Sequence, residues 1–400
     1  MIAKVSGAKG LRTEELVRAY FLRAGFFVMR GIKLRHDGVE LTDIDMWVYE
    51  RSAMLARRRT IIDIKDKRTP QAAERLFFVK GVASVISVEG AGVATTDSRP
   101  MLRELARKHG VLWIGGADLQ RLKDSDALSG LNRMTEEEFN GEIADIDNAR
   151  NGRVFRDKMD EVKSAVADRF GPSCANTALE GFQLFAREVV NAHPASAAAR
   201  GAGRLTYLAA AIAAAAFDFA SADTALRPLA ERVRHMTDTI RFGANTEGAL
   251  ANLRWTEAAI REYLPNGAGL AQVVHEKFTA ELNAVPAEGL AEIVIRLSNS
   301  EKLFSIAKSL EKAAYASHLV SFDHLDADTK GFLGALLDFV DISRPKFAEG
   351  WTGRSPADTS ISDEPKTVRN DDPEVPDKGE QGSDKKKAAP TQEKNQRRLL

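Results

Sequence analysis

Across its 400 residues the chain holds a single cysteine, Cys174, which excludes an internal disulfide and a cysteine-built zinc site. That scarcity suits a reducing compartment, so the expected location is cytoplasmic, and Cys174 itself reads as a small packed side chain. The seven histidines, His36, His109, His193, His235, His275, His318 and His324, show no close ligand spacing. No run of about 20 strongly apolar residues occurs, so no membrane span is expected. The most apolar stretch, Leu205 to Phe217, is short and alanine-rich and reads as a buried helix. The opening residues, MIAKVSGAKGLRTEE, lack the apolar core of a secretory signal. No Walker-type loop is present, and GAGVAT at Gly90 and GAGRLT at Gly201 lack the third glycine of a dinucleotide fingerprint.

Net charge is missing too, with 57 basic against 57 acidic residues, but the balance conceals a split. Residues 1–123 carry 23 Lys and Arg against 14 Asp and Glu, a net +9, which leaves 34 against 43, a net −9, for the rest. A basic third of this kind points to a polyanion partner, because clustered Lys and Arg release counterions from phosphate backbones.

The chain has apolar material for two or three domains, at 44% hydrophobic residues. Residues 11–24 place Leu16, Val17, Tyr20 and Phe21 at helical spacing, with Gly25 as the C-cap. Two short acidic strands follow. Then come a helix over about Pro70 to Val88, a strand at Gly92 to Thr96, a helix over Arg99 to His109, a strand at Val111 to Ile114 and a short helix over Ala117 to Leu122. Such alternation implies an α/β layer around a central mixed sheet. Beyond Lys123 the pattern is helix after helix. One helical face carries Leu226, Leu229, Val233, Met236 and Ile240, and Ser298 with Glu301 forms a capping box before a helix bearing Leu303, Ile306 and Leu310. From Thr352 onward there is no aromatic residue, so residues 351–400 are expected to be a disordered, charged tail. The expected organisation is an α/β domain over 1–123, an all-helical domain over 124–350, and that tail.

The two acidic strands carry the functional argument. Glu40 to Tyr49 (ELTDIDMWVY) and Thr60 to Lys67 (TIIDIKDK) read as buried strands, where unpaired charge is rare. Side chains alternate in a strand, so Asp63 and Lys65 share one face while Ile62 and Ile64 take the other. The same rule sets Asp43 and Asp45 opposite Ile44, Met46 and Val48. Two carboxylates and a lysine fit a site for phosphate chemistry. Asp45, Asp63 and the backbone carbonyl of Ile64 would hold Mg²⁺ or Mn²⁺, and Lys65 would assist the attacking water. A structural ion pair between Asp63 and Lys65 is the plainer alternative. Arg57, Arg58, Arg59, Lys67 and Arg68 flank these strands, and either grip phosphates or decorate a loop. Gln71 opens the next helix and either faces the site or caps that helix.

The order helix-borne Glu14, then Asp45, then Asp63-Ile64-Lys65 resembles the PD-(D/E)XK nuclease superfamily, the restriction-endonuclease-like fold, over about residues 8–123. GLRTEELVRAYFLRAGFFV is similar to that family's first helix and following strand, and ARKHGVLWIGGADLQRL to its late strand and helix. The resemblance implies that Asp45 and Asp63 bind the metal, that Lys65 is catalytic and that Glu14 assists. It implies DNA as the preferred nucleic acid and a homodimer for cutting two strands. The proline that names the motif is absent, Ile44 standing before Asp45. Asp43 competes for the first acidic position, and Glu15 competes with Glu14; Asp45 is preferred because it directly precedes the apolar run 46–48, and Glu14 because it shares the stripe of Val17 and Phe21. Two other functions remain open: a nuclease fold that binds nucleic acid without cutting it, and a scaffold that takes a protein partner through its helical region.

Overall fold

β-Branched and aromatic side chains pack well on a pleated surface, and the segments after the first helix are rich in them. A computed structural model of the chain describes residues 3–36, 38–66, 71–125, 132–149 and 152–352. Lys67, Arg68 and almost all of the expected tail lie outside the described residues. Helix α1 (Ala3–Arg23) leads into strands β1 (Phe27–His36), β2 (Val39–Arg51) and β3 (Arg57–Lys65). Then come α2 (Ala72–Val85), β4 (Gly90–Thr95), α3 (Pro100–Lys108), β5 (Val111–Ile114) and α4 (Gly116–Asp124). The strands make one mixed sheet in the order β1-β2-β3-β4-β5. β1, β2 and β3 pair antiparallel, whereas β4 and β5 run parallel to β3, with α2 and α3 as the crossovers that parallel pairing requires. Gly25 adopts the left-handed conformation just past α1, the C-cap role its sequence position suggests.

Register assigns the faces. Met46 lies opposite Ile62, and Trp47 opposite Ile61. Met46, Val48, Ile62 and Ile64 pack against Val17 and Phe21 of α1. Trp47, Tyr49 and Ile61 belong to the other core, with Leu76 and Val79 of α2 and much of the helical region. Tyr20 departs from the expected buried stripe: it is 47% exposed and sits edge-on to Phe21, because only the Val17 and Phe21 side of that turn meets the sheet.

Among the described residues the mixed sheet is followed by helices, α5 (Glu136–Ala149), α6 (Val154–Asp168), α7 (Pro172–Asn191), α8 (Ala197–Ala220), α9 (Leu229–Phe242), α10 (Thr246–Tyr263), α11 (Gly267–Ala284), α12 (Ala287–Asn299), α13 (Lys302–Ala314), α14 (Ala327–Phe339) and α15 (Arg344–Thr352), with two short 3₁₀ turns and an isolated bridge between Arg133 and Ala316. α8 is the spine. It is long and apolar enough to cross a membrane by composition, yet 89% of its most apolar window is buried inside the protein, as befits a core helix. α10 and α11 pack mainly on each other, and no residue of α10 is fully buried. Two sequence expectations are corrected. Leu226 and Leu229 are exposed because Pro228 starts α9 after the first and leaves the second in its outer turn. Ser298 does not cap α13; it belongs to α12, where its hydroxyl is bonded to that of Ser221.

Sheet and helices form one compact unit, Met1–Pro356, and buried charge joins them. Asp218, wholly buried in α8, accepts hydrogen bonds from Tyr49 Oη at 2.6 Å and Arg51 Nη1 at 2.6 Å, and pairs with Arg57 at 2.9 Å. At the other end, Arg18 of α1 reaches Glu311 at 2.9 Å and Glu136 at 3.5 Å, and lies over the Tyr315 ring. Lys163 and the Tyr315 hydroxyl complete the shell of Glu136. Lys33 and Arg35 of β1 meet Asp160 of α6.

Removing one partner of a buried ion pair strands the others without water. Asp218→Ala should therefore destabilise the protein by about 3–5 kcal/mol, read as a shift of the urea midpoint. Burial alone would raise the Glu136 carboxyl, but Lys163 and Arg18 hold it down at about 2. A depressed carboxyl stabilises the fold above its unfolded value, and that contribution is lost as pH falls through the folded value. Acid unfolding should thus steepen between about pH 4.5 and about pH 2, and Glu136→Gln should flatten that interval in a pH series of urea melts.

Candidate active site

The ladder between β2 and β3 ends at the Met46–Ile62 pair, and Asp45 stands one residue beyond it. There the Asp45 carboxylate fills the place of a ladder partner: its Oδ2 accepts the Ile64 N–H at 2.7 Å. The N–H and C=O of a strand residue face the same edge, so the Ile64 carbonyl also faces this gap. Lys65 Nζ donates to the same Asp45 oxygen at 3.1 Å and lies 3.8 Å from Asp63 Oδ1. The structure thus brings Asp45, Asp63, Ile64 and Lys65 together. Asp43 is exposed and, with Asp45, Asp63 and Phe78, Val79 and Val82 of α2, lines a small crevice.

Glu14 approaches from α1. Arg30 of β1 holds Glu14 with one guanidinium nitrogen and Glu15 with another, and reaches Glu137 of α5 at 3.3 Å. The sequence ranking of the two glutamates assumed a single buried face. α1 has two, since it lies between the sheet and the helices: Glu15 is the more buried and faces Arg18 and Arg30, while Glu14 lies on the Asp45 side.

Burial is the largest influence on both acids near the gap, and it raises them. The Asp45 carboxyl stays above its ordinary value although Lys65 and the Ile64 N–H oppose the rise, with Asp63 adding to it. Glu14 is raised in the same way against the pull of Arg30, with Asp45 and Glu137 contributing.

One partner escaped the sequence reading. Arg75 of α2 grips Asp63 with both a 2.7 Å bond from Nε to Oδ2 and a bond from Nη2 to Oδ1, and its guanidinium stacks on Phe78 at 4.1 Å. The available signal was periodicity: Arg75 lies one turn beyond Gln71, on the same side of the helix. Gln71 itself is exposed, precedes the helix and makes no side-chain cap bond.

The arginines before the site go elsewhere. Arg57 lies roughly 20 Å along β3 from Asp63 and is taken up by Asp218 and by the carbonyls of Ala53 and Met54. Arg58 pairs with Glu50, and Arg59 with Glu89 while lying over the Phe219 ring. The structure does not bring these three to the carboxylates.

As a donor set, two carboxylates and a strand carbonyl are hard oxygens, which fits Mg²⁺ or Mn²⁺. Among the described residues no group of three or more His, Cys, Asp or Glu gathers into a closed metal cage. Mg²⁺ tolerates this, since it keeps waters and takes substrate oxygens. Cys174 is far from such chemistry, its thiol pushed up to about 12 by burial. Comparisons with protein-family models, curated proteins and solved structures gave no match.

A carboxyl raised by the fold contributes stability below its unfolded value, and that contribution is lost as pH rises through the folded value. Ionised Asp45 thus costs stability at neutral pH. Asp45→Asn should raise the melting temperature near about pH 8 and lose that advantage near about pH 4, a trend a pH series of thermal melts would reveal.

Proposed function

We propose that this chain is a divalent-metal-dependent nuclease that hydrolyses phosphodiester bonds of DNA, built on a restriction-endonuclease-like α/β domain. The observation that carries the reading is the convergence of Asp45, Asp63 and Lys65 where β2 and β3 part, with Lys65 Nζ at 3.1 Å and 3.8 Å from the two carboxylates. The element order supports it: an acid on the first helix, an acid on the second strand and Asp-x-Lys on the third, in a mixed sheet, is the order that the family resemblance implies.

In this reading Asp45, Asp63 and the Ile64 carbonyl hold Mg²⁺ or Mn²⁺, which neutralises phosphate charge and acidifies water. Asp45 does a second job, fixing Lys65 through its Oδ2 so that the ammonium stays beside the reacting phosphate. Lys65 places a compact positive charge where the transition state gains negative charge, and orients the attacking water. Glu14, kept in place by Arg30, supplies further negative potential at the gap. Basic residues now committed to internal pairs, such as Arg57, have no part in this site.

A non-cutting, nucleic-acid-binding module is the second reading. It is favoured by one observation, that Arg75 covers both oxygens of Asp63. Purified protein incubated with supercoiled, linear and single-stranded DNA in Mg²⁺ or Mn²⁺ separates the two. Cleavage should vanish with EDTA and with Asp63→Ala, and Lys65→Ala should lower the rate by roughly 10²–10³-fold while DNA binding persists. Salt-sensitive binding without any cleavage that both controls remove would leave the second reading in place of the first.

A further inference from the structure

Asp63 is the deepest acid of the gap, 6% exposed, and its carboxylate is fully engaged by one side chain. Arg75 meets both of its oxygens in the forked geometry that guanidinium and carboxylate share. A cation that takes Asp63 as a ligand must compete for those same lone pairs. Arg75 differs from the structural arginines of this protein in where it sits. Its side chain is 25% exposed, against 1% for Arg18 and 4% for Arg57, and its guanidinium is stacked on the exposed Phe78. It thus has somewhere to go.

We propose that Arg75 is an exchange residue: it occupies Asp63 in the absence of metal, is displaced when a divalent cation binds there, and then takes a phosphate of the nucleic acid at the surface beside Phe78. This rests on the nuclease reading and adds a regulation to it. Before loading, Lys65 and Arg75 balance Asp45 and Asp63, so the gap carries little charge to draw a cation. After exchange, the guanidinium stands as a phosphate receptor beside the metal position, through the same bidentate chemistry it used on the carboxylate. Cation and DNA must then strengthen each other's binding, because each stabilises the displaced position of Arg75.

The test is Mn²⁺ binding, followed by electron paramagnetic resonance of the free ion, on the full chain and on Arg75→Met, Arg75→Lys and Asp63→Ala. Arg75→Met should bind Mn²⁺ roughly 5-fold or more tightly than the parent, Arg75→Lys should fall between them, and Asp63→Ala should lose the site. Repeating the titration with a short DNA duplex in the Lys65→Ala protein, so that cutting does not intervene, should show DNA tightening Mn²⁺ binding, and this coupling should disappear in Lys65→Ala/Arg75→Met. Arg75→Lys keeps the positive charge and guards against a loss caused by misfolding. Equal Mn²⁺ affinity in parent and Arg75→Met would overturn the exchange while leaving the nuclease reading intact. Tighter binding with unchanged coupling to DNA would overturn the phosphate step. No Asp63-dependent Mn²⁺ site in any variant would overturn the nuclease reading and the exchange with it.

Discussion

Charge buried between the sheet and the helices is the constraint on which the rest of this structure depends. A guanidinium or carboxylate taken out of water costs several kcal/mol unless a partner meets it with good geometry. Arg18, Arg30, Arg51 and Arg57, all with buried side chains, come from the α/β layer and each finds a carboxylate in the helical region; the partly exposed Lys33 and Arg35 pair there too. Aromatic packing reinforces the join, with Tyr49 and Trp47 of β2 set against Phe170, and Tyr49 against Phe304. Arg18 also meets Glu15, and Arg30 both Glu14 and Glu15, within the α/β layer, whereas Arg51 and Arg57 meet Asp218 of α8. The helices are therefore a wall of the sheet's core, and the site at its far edge is built on a surface that they complete.

The same pairs give the charge split a second meaning. A basic N-terminal third and an acidic remainder suggest a polyanion when only the sequence is in view, yet six of those basic residues face acids of the chain itself. The distinction is invisible in the sequence because burial and net charge are local properties, while the partners are far apart: Arg18 and Glu311 are separated by 293 positions, and Arg57 meets Asp218 in the last turn of α8, just past the stretch Leu205 to Phe217 that reads as apolar. What was legible followed from short periods. Alternation in ELTDIDMWVY and TIIDIKDK placed Asp63 with Lys65 on one face and Met46, Val48, Ile62 and Ile64 on the other, and the spacing of turn and apolar residues located α2, β4, α3, β5 and α4 to within a few positions. What failed had a physical cause each time. α1 is buried on two sides, so a one-face rule that set Glu14 on the stripe of Val17 and Phe21 missed the deeper burial of Glu15 on the other. Pro228 reset a stripe that ran on in sequence. Arg75 carries no motif, and its role appears only when α2 is laid across β3.

The gap between β2 and β3 shows how a strand end becomes a site. As long as a ladder continues, its N–H and C=O groups satisfy each other and side chains have no access to them. Where β2 departs after Met46, Asp45 replaces the lost partner for Ile64, and a backbone donor becomes part of the site's electrostatics. The gap is desolvated by α1 on one side and α2 on the other, which is why Asp45 and Glu14 titrate high although cations touch both. Such a site is held at a cost to stability, the pattern expected where function and folding compete.

Arg30 ties this local account to the global one. A single buried guanidinium contacts Glu14 at the gap, Glu15 in the interior ion cluster and Glu137 on α5. Because it is shared, it cannot neutralise Glu14 fully, and the share it gives depends on how the helices hold Glu15 and Glu137. If the helical region were removed, Arg18 would lose Glu136 and Glu311, Arg30 would lose Glu137, and both would turn to Glu15 and Glu14. The negative potential at Asp45 would then fall, even though every residue of the Asp-x-Lys motif remained. For a site proposed to bind a divalent cation, that potential adds to what its ligand oxygens provide. In the proposed nuclease, the charge balance at the gap is thus set partly from the helical region.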